Sequence, residues 1–324
     1  MTPDKRDRTL EIFFRAIRGE DLSVQELAVA YGVSTKSIGR IINDLKAFLA
    51  DHRELVGNTE LVYSYQQRRY QLRMDTFLTN QELFALTEIL IASRGLSRQE
   101  MLSIVDKLRR FTTSDDRPKL NRLLQKEIRH YAEVRHDCDS VEERLWQIVN
   151  CIDSRREITV DYYRADRSYK VHRLRPVSVL FSDFYFYLIA FEMDGNPNQP
   201  RYFRLDRIKR VVEHRETFPA ADDLAFDEGL LRRRSLFMWP GKLRTIRFQY
   251  TGISVQAVLD KLPTAHIVEQ CCGGLLLEAE VYGDGIKMWL LSQGSKVRVI
   301  SPPDFVQEMK SEIQQMQEIY ESEE

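Results

Sequence analysis

Over roughly the first half of the chain apolar residues recur three and four positions apart, the spacing that gathers them on one side of a helix. From residue 157 they alternate with polar ones, as in a strand with one wet and one dry face. Leu10, Phe13, Phe14 and Ile17 mark a first helix, ended by Gly19. Ser23-Val24-Gln25-Glu26 reads as a capping box opening a second, with Val24, Leu27, Ala28 and Tyr31 on its inner side. Gly32 supplies a tight turn, Val33 fills the angle between helices, and Ser34 N-caps a third helix whose buried stripe is Ile38, Ile41, Ile42 and Leu45. Two short helices joined through a four-residue, glycine-containing turn make a helix-turn-helix pattern. Glu60 to Tyr65 and Tyr70 to Leu72 then read as the strands of a wing around a polar tip, Gln66-Gln67-Arg68-Arg69.

Residues 79–135 read as helical, with capping boxes at Thr79–Glu82 and Ser97–Glu100 and another at Ser140–Glu143. Leu83, Leu86 and Leu90 are the expected inner residues of the first of these helices, and Arg117-Pro118 a break between later ones. Five short strands follow, 158–163, 170–180, 184–192, 201–205 and 208–213, separated by turns such as Asp194-Gly195-Asn196-Pro197. After 243 the order is strand, helix, strand, strand, helix, strand, the order of a ferredoxin-like sandwich, with a closing helix carrying Phe305, Met309, Ile313, Met316 and Tyr320. The chain therefore reads as an α+β multidomain protein. Its expected parts are a winged helix-turn-helix (1–76), a helical linker (77–139), an Sm/SH3-like β-barrel (140–220) and a ferredoxin-like α/β sandwich (221–324).

Composition narrows the function classes. The 324 residues hold no apolar run long enough for a membrane span and no secretory leader near the N-terminus, so the protein is expected in the cytoplasm. Six histidines are scattered, and the cysteines (Cys138, Cys151, Cys271, Cys272) form no C-x-x-C pair, so neither a metal nor a cofactor is expected. No phosphate-binding glycine loop, nucleophile elbow or ligand cluster points to catalysis, and no catalytic residue is assigned. A net charge of −1 means that any nucleic-acid surface must be a local patch.

The third helix offers such a patch. In a major groove its exposed N-terminal half presents Ser34, Thr35, Lys36, Ser37 and Arg40, with Arg68 and Arg69 of the wing meeting the backbone. The strand region offers another: Tyr163, Phe184 to Tyr187, Tyr202 and Phe203 interleave with Arg173, Arg175, Arg201, Arg204 and Arg207. Alternation puts Tyr185 and Tyr187 on the face opposite Phe186 and Leu188, so that tyrosines and guanidinium groups line one side, a surface suited to stacking and phosphate contacts.

Arg175-Pro176, Phe186-Tyr187-Leu188 and Arg201 to Ile208 resemble the successive signatures of the WYL domain, an Sm-like barrel found behind a winged helix-turn-helix in bacterial transcription regulators. Val33-Ser34 and Ser37 to Arg40 resemble that family's recognition helix. Phe186 stands where the family has tryptophan, and Ile41 where it usually has aspartate. The resemblance implies a regulator whose barrel binds a negatively charged effector, a nucleotide or a nucleic-acid fragment, through Tyr187, Arg204 and Arg207, with Tyr163, His172 and Arg173 as further candidates. It also implies a homodimer on a double-stranded DNA operator. The competing expectation is an RNA- or single-strand-binding module whose helix-turn-helix serves protein contacts.

Overall fold

The hydroxyls of Ser23 and Ser34 accept the backbone N–H groups of Glu26 and Ser37, and so open α2 (Val24–Tyr31) and α3 (Thr35–Asp51) in a computed structural model of the chain. The structure describes residues 4–74, 78–109, 111–112, 117–195, 199–218, 227–271 and 273–322. Gly32 turns the chain between the two helices at φ 62°, a left-handed conformation costly for a residue with a Cβ. The α3 stripe is as expected: Ile38, Ile41, Ile42, Leu45 and Leu49 are all buried. The first helix, α1 (Lys5–Ile17), is not. Its apolar residues span a wide arc, two stripes within it fit the spacing, and packing selects Ile12 and Ala16 while Leu10 and Phe14 stay exposed.

After a single turn, α4 (Arg53–Val56), the strands β1 (Thr59–Ser64) and β2 (Arg69–Met74) form an antiparallel hairpin. Leu22 and Tyr70 exchange backbone hydrogen bonds of 2.8 and 2.9 Å, which seats this hairpin on the α1–α2 connection. Three further helices follow: α5 (Asn80–Ser93), α6 (Arg98–Arg109) and α7 (Arg117–Arg129). The Thr79–Glu82 box is reciprocal, as is Ser97–Glu100. In α5 the buried residues are Leu83, Thr87 and Ile91; Leu86 is exposed, since a strict i+4 row and not the leucine spacing meets the neighbouring helices. Pro118 does not break a helix but lies in the first turn of α7, where a missing N–H costs nothing.

The chain divides into two compact units, one ending at Arg135 and the other starting at His136. In the second, α8 (Val141–Asp153) precedes β3 (Arg156–Tyr163), β4 (Tyr169–Ser182), β5 (Tyr185–Glu192), β6 (Arg201–Arg204) and β7 (Ile208–Thr217). They form an antiparallel sheet in the order β6-β5-β4-β3-β7, with a 3-10 turn, Leu205–Arg207, between β6 and β7. Pro176 sits at a register shift in β4, a place that tolerates its missing N–H. The shift reverses the side-chain parity, so Leu174 and Val179 reach the same core although five positions apart. That core also holds Ile158, Val160, Leu188, Phe203, Leu205 and Ile208.

Beyond α9 (Glu228–Arg234) a second sheet is built from β8 (Leu243–Tyr250), β9 (His266–Cys271), β10 (Gly274–Tyr282) and β11 (Val297–Ser301), in the order β11-β8-β10-β9. The helices α10 (Val255–Lys261), α11 (Gly285–Ser292) and α12 (Pro303–Glu321) accompany it. Phe248, Leu277, Ile286, Trp289 and Phe305 fill its core. Only the first half of the α12 stripe is used: Phe305 and Met309 are buried, whereas Ile313, Met316 and Tyr320 are exposed. Gly274, expected in the turn, instead opens β10 opposite Cys271, while Cys272 and the turn residues 196–197 lie outside the described residues. The molecule is thus α+β, with three antiparallel sheets among the described residues.

Candidate nucleic-acid and effector sites

Full burial of one side of α3 fixes what its other side shows. Ser34, Thr35, Lys36 and Arg40 are exposed and Ser37 is half-buried. Ile41 is fully buried, so whatever the family's aspartate does there is not done by this residue. Asn43, which the sequence reading passed over, is also exposed and lies three positions beyond Arg40, hence on the same flank.

The hairpin tip differs from expectation. Its turn is Tyr65-Gln66-Gln67-Arg68, with Tyr65 87% exposed and edge-on to Tyr63 at 5.2 Å. Arg68 is exposed at φ 54°. Arg69 is not at the tip but opens β2 opposite Ser64; its guanidinium donates to Glu26 at 2.6 Å and to the Asp21 carbonyl at 3.2 Å. Glu26 therefore does not reach back as in a capping box, because its carboxylate holds Arg69. Proximity in sequence could not separate the two arginines; strand register does.

The second site forms along the β5–β6 pairing, where Tyr187 lies opposite Arg204. Arg204 donates to Asp206 through Nε at 3.0 Å and through a terminal nitrogen at 2.6 Å, and its guanidinium lies 3.3 Å from the centre of the Tyr185 ring. Burial is the largest influence and opposes its charge, but the hydrogen bonds and charge of Asp206, with Tyr185 and Tyr187, together hold it more firmly protonated than usual. Asp206 is 3% exposed, accepts the Asp137 N–H at 3.5 Å, and has His136 Nδ1 at 3.9 Å. Burial lifts the Tyr187 hydroxyl above its ordinary range against the pull of Arg204 and Arg207, so it stays a neutral donor. Arg207 is half-buried and, among the described residues, is in no ion pair, which makes it the cation on this face with an unengaged head.

The weaker candidates are placed elsewhere. His172 is buried and bonded to Glu192, which Arg201 also holds. Arg173 is paired with the buried Glu157 at 2.9 Å. Of the Tyr162–Tyr163 pair, it is the buried Tyr162 whose hydroxyl accepts the Arg204 N–H at 3.2 Å; Tyr163 is edge-on to Tyr169 at the opposite face of β3. The sequence puts Tyr185 on this face without singling it out and does not single out Tyr162, because cross-strand register and not composition brings both to Arg204. Nor is the tyrosine face fully open. Ile189 and Phe191 are buried there against Phe218, Leu231 and Met238, and the hydroxyls of Tyr202 and Ser235 lie 2.9 Å apart. Among the described residues no group of three or more metal-ligating side chains occurs, and burial pushes the Cys151 thiol up to about 12, which leaves it unreactive.

The family model of the WYL domain matches residues 143–213, from α8 through β7. It carries a WYL domain. The model of the WCX domain matches residues 245–317, from β8 into α12. The face just described, with Tyr187, Arg204 and Arg207, lies within the WYL domain, and α9 precedes the WCX match. No curated protein matches the chain. Among solved structures it is similar to proteasome accessory factor B/C (PafBC) of Arthrobacter aurescens, at 17% identity over 95% of this chain and 47% of that one, with a TM-score of 0.32. It is also similar to a CRISPR Cas-related protein, at 15% identity over 90% of this chain and 75% of that one, with a TM-score of 0.39. The chain spans about half the length of PafBC. No helix among the described residues is long and apolar enough to cross a membrane.

Within the WYL domain His172 gives a pH expectation. Burial, first, depresses its pKa below the ordinary 6.5 although Glu192 pulls the other way. The unfolded chain then binds a proton that the folded one refuses, so stability is lost as pH falls through about 6.5 and downward. Urea unfolding at pH 7.5 and 5.5 should show this loss, and His172→Gln should reduce it; an unchanged difference would separate it from His172.

Proposed function

We propose that the protein is a DNA-binding transcription regulator. In this reading a homodimer grips a double-stranded operator and answers to a negatively charged effector, a nucleotide or nucleic-acid fragment, bound on the WYL domain. It works in the cytoplasm, with no catalysis and no cofactor. Residues 1–76 act as a winged helix-turn-helix, and β3 to β7 as an Sm-like barrel. The β-α-β-β-α-β order of β8 to β11, with sheet order β11-β8-β10-β9, supports a ferredoxin-like sandwich.

The observation that carries the reading is the two-sidedness of α3. Its inner residues Ile38, Ile41 and Ile42 are at 0% exposure, which leaves Thr35, Lys36 and Arg40 on a rigid outer flank whose start is fixed by the Ser34 cap. Arginine and lysine there suit guanine edges and phosphates, and Arg68 at the hairpin turn suits the flanking backbone. The WYL match adds the family association of such barrels with regulators.

The effector response follows from Arg204. An anion recruiting its guanidinium competes with Asp206, and Asp206 accepts the N–H of Asp137, one of the first residues of the second unit. Effector charge is thereby linked to the place where the chain enters the WYL unit, and shifts the population between binding-competent and incompetent states.

Footprinting on the DNA upstream of its own gene should reveal a palindromic protected site with half-sites about one helical turn, or a multiple of it, apart. Equal affinity for that DNA and a scrambled duplex at matched salt would refute the regulator reading.

A further inference from the structure

In the first unit, the start of α5 and the start of α7 border a cleft of about 590 Å3, within the ~300–1,000 Å3 typical of small-molecule sites. Part of its lining is apolar: Phe84 of α5 with Leu120 and Leu123 of α7. Leu120 is buried, but Phe84 is only half-buried and Leu123 is 52% exposed, so apolar surface is presented to whatever enters. The rest of the lining is polar. Thr112, in the connection before α7, is 1% exposed, yet among the described residues its hydroxyl has no hydrogen-bond partner. A buried hydroxyl left unpaired is costly, which marks a place where a partner is missing.

Two further donors line the same cleft. Lys119, in the first turn of α7, is exposed and in no ion pair among the described residues. At the head of α5 the Thr79 hydroxyl takes the Glu82 N–H, and the Glu82 carboxylate takes the N–H and hydroxyl of Thr79. That box leaves out Gln81: as the second helical residue its N–H has no partner inside the helix, and it has none among the described residues. An amide at the positive end of a helix and an ammonium both favour an anionic acceptor. One full cation suits a monoanion, whereas a phosphate dianion asks for more. The leucines and Phe84 call for an apolar body behind that head.

We infer that the cleft between α5 and α7 binds a small amphipathic carboxylate, its head among Lys119, the Gln81 N–H and the Thr112 hydroxyl, its apolar body against Phe84, Leu120 and Leu123. The site is in the first unit and the Tyr187 face in the second, so it stands apart from the effector reading of the WYL domain. It is nonetheless linked to the helix-turn-helix. Arg117 donates to the Thr112 carbonyl at 3.0 Å and to the carbonyl of Arg18, the residue that caps α1, at 3.5 Å. The cleft wall and the end of α1 thus share one guanidinium.

The test is calorimetric titration of the full chain with naphthylacetate and with its neutral amide, naphthylacetamide. The acid should bind about fivefold more tightly than the amide, since only the acid gains charge-assisted bonds. Lys119→Glu and Leu123→Glu should each weaken the acid about tenfold or more. Both side chains are exposed, and a thermal melt of each variant verifies folding. Thr112→Val should weaken binding about threefold and also raise the melting temperature of the free protein, because a methyl replaces an unpaired buried hydroxyl. Lys126→Glu, an exposed lysine further along α7 and outside the cleft lining, should bind as wild type. Equal affinity for acid and amide, or no binding of either at millimolar concentration, overturns the inference. Wild-type affinity in Lys119→Glu overturns it too, even if Leu123→Glu binds weakly, since the head would then lie elsewhere. If Arg207→Ala is the variant that loses the acid, the anion sits on the WYL face; the cleft inference fails and the effector reading stands.

Discussion

Arg204→Ala is expected to destabilise the WYL unit by about 3–5 kcal/mol, the usual cost of leaving one partner of a buried ion pair alone. Asp206 is 3% exposed and the Arg204 side chain 14%, so the carboxylate left behind has little access to water. Its other neighbours, the Asp137 N–H at 3.5 Å and His136 at 3.9 Å, are poor substitutes for a bidentate guanidinium. Asp206→Asn added to Arg204→Ala should recover much of the loss, because it removes the stranded charge. Arg207→Ala, with no ion pair to break among the described residues, should stay within about 0.5 kcal/mol of wild type and lose effector affinity instead. Urea unfolding of the three variants, with oligonucleotide titration of Arg207→Ala, separates the roles. An Arg204→Ala protein as stable as wild type would mean that Asp206 is satisfied some other way. Arg204 is for this reason a poor probe of effector binding, and Arg207 a good one.

Lys36→Ala/Arg40→Ala should weaken operator binding by about 30-fold or more, taking about 1–3 kcal/mol for a base-reading arginine and a further loss for a phosphate lysine. Both side chains are exposed on α3 and neither is in an ion pair among the described residues, so folding should be untouched. The two wing arginines should part company. Arg68→Ala is expected to make the salt slope shallower by about one unit per protomer. Arg69→Ala should leave the slope alone and lower stability by less than about 1 kcal/mol, since its pair with Glu26 is partly exposed and screened. Identical slopes for the two variants would undo the assignment of Arg69 to the hairpin anchor.

Much of the architecture was legible because local rules and tertiary demands coincide. The Ser23 and Ser34 caps, the left-handed Gly32 and the α3 stripe are each visible within a few residues of sequence. The strands of both sheets alternate cleanly enough that their places, though not their partners, can be read. Where a helix is apolar on more than one side the reading failed: α1 buries Ile12 and Ala16 instead of Leu10 and Phe14, and α5 uses Thr87 in place of Leu86. Spacing alone ranks such stripes equally, and only the neighbouring surface chooses.

The sites divide along the same line. The sequence by itself determined which residue types are available: a capped helix bearing Lys36 and Arg40, and a strand region dense in tyrosine and arginine. Only the tertiary structure decided which heads are left for a ligand. It took Arg69 for Glu26, Arg204 for Asp206, Arg173 for Glu157 and His172 for Glu192, and left Arg207 without an ion pair among the described residues. The reason is that ion pairs and stacking act over a few ångström between residues as far apart as 26 and 69. Those distances are set by strand register and by the β4 bulge, neither of which is written in any one stretch of sequence.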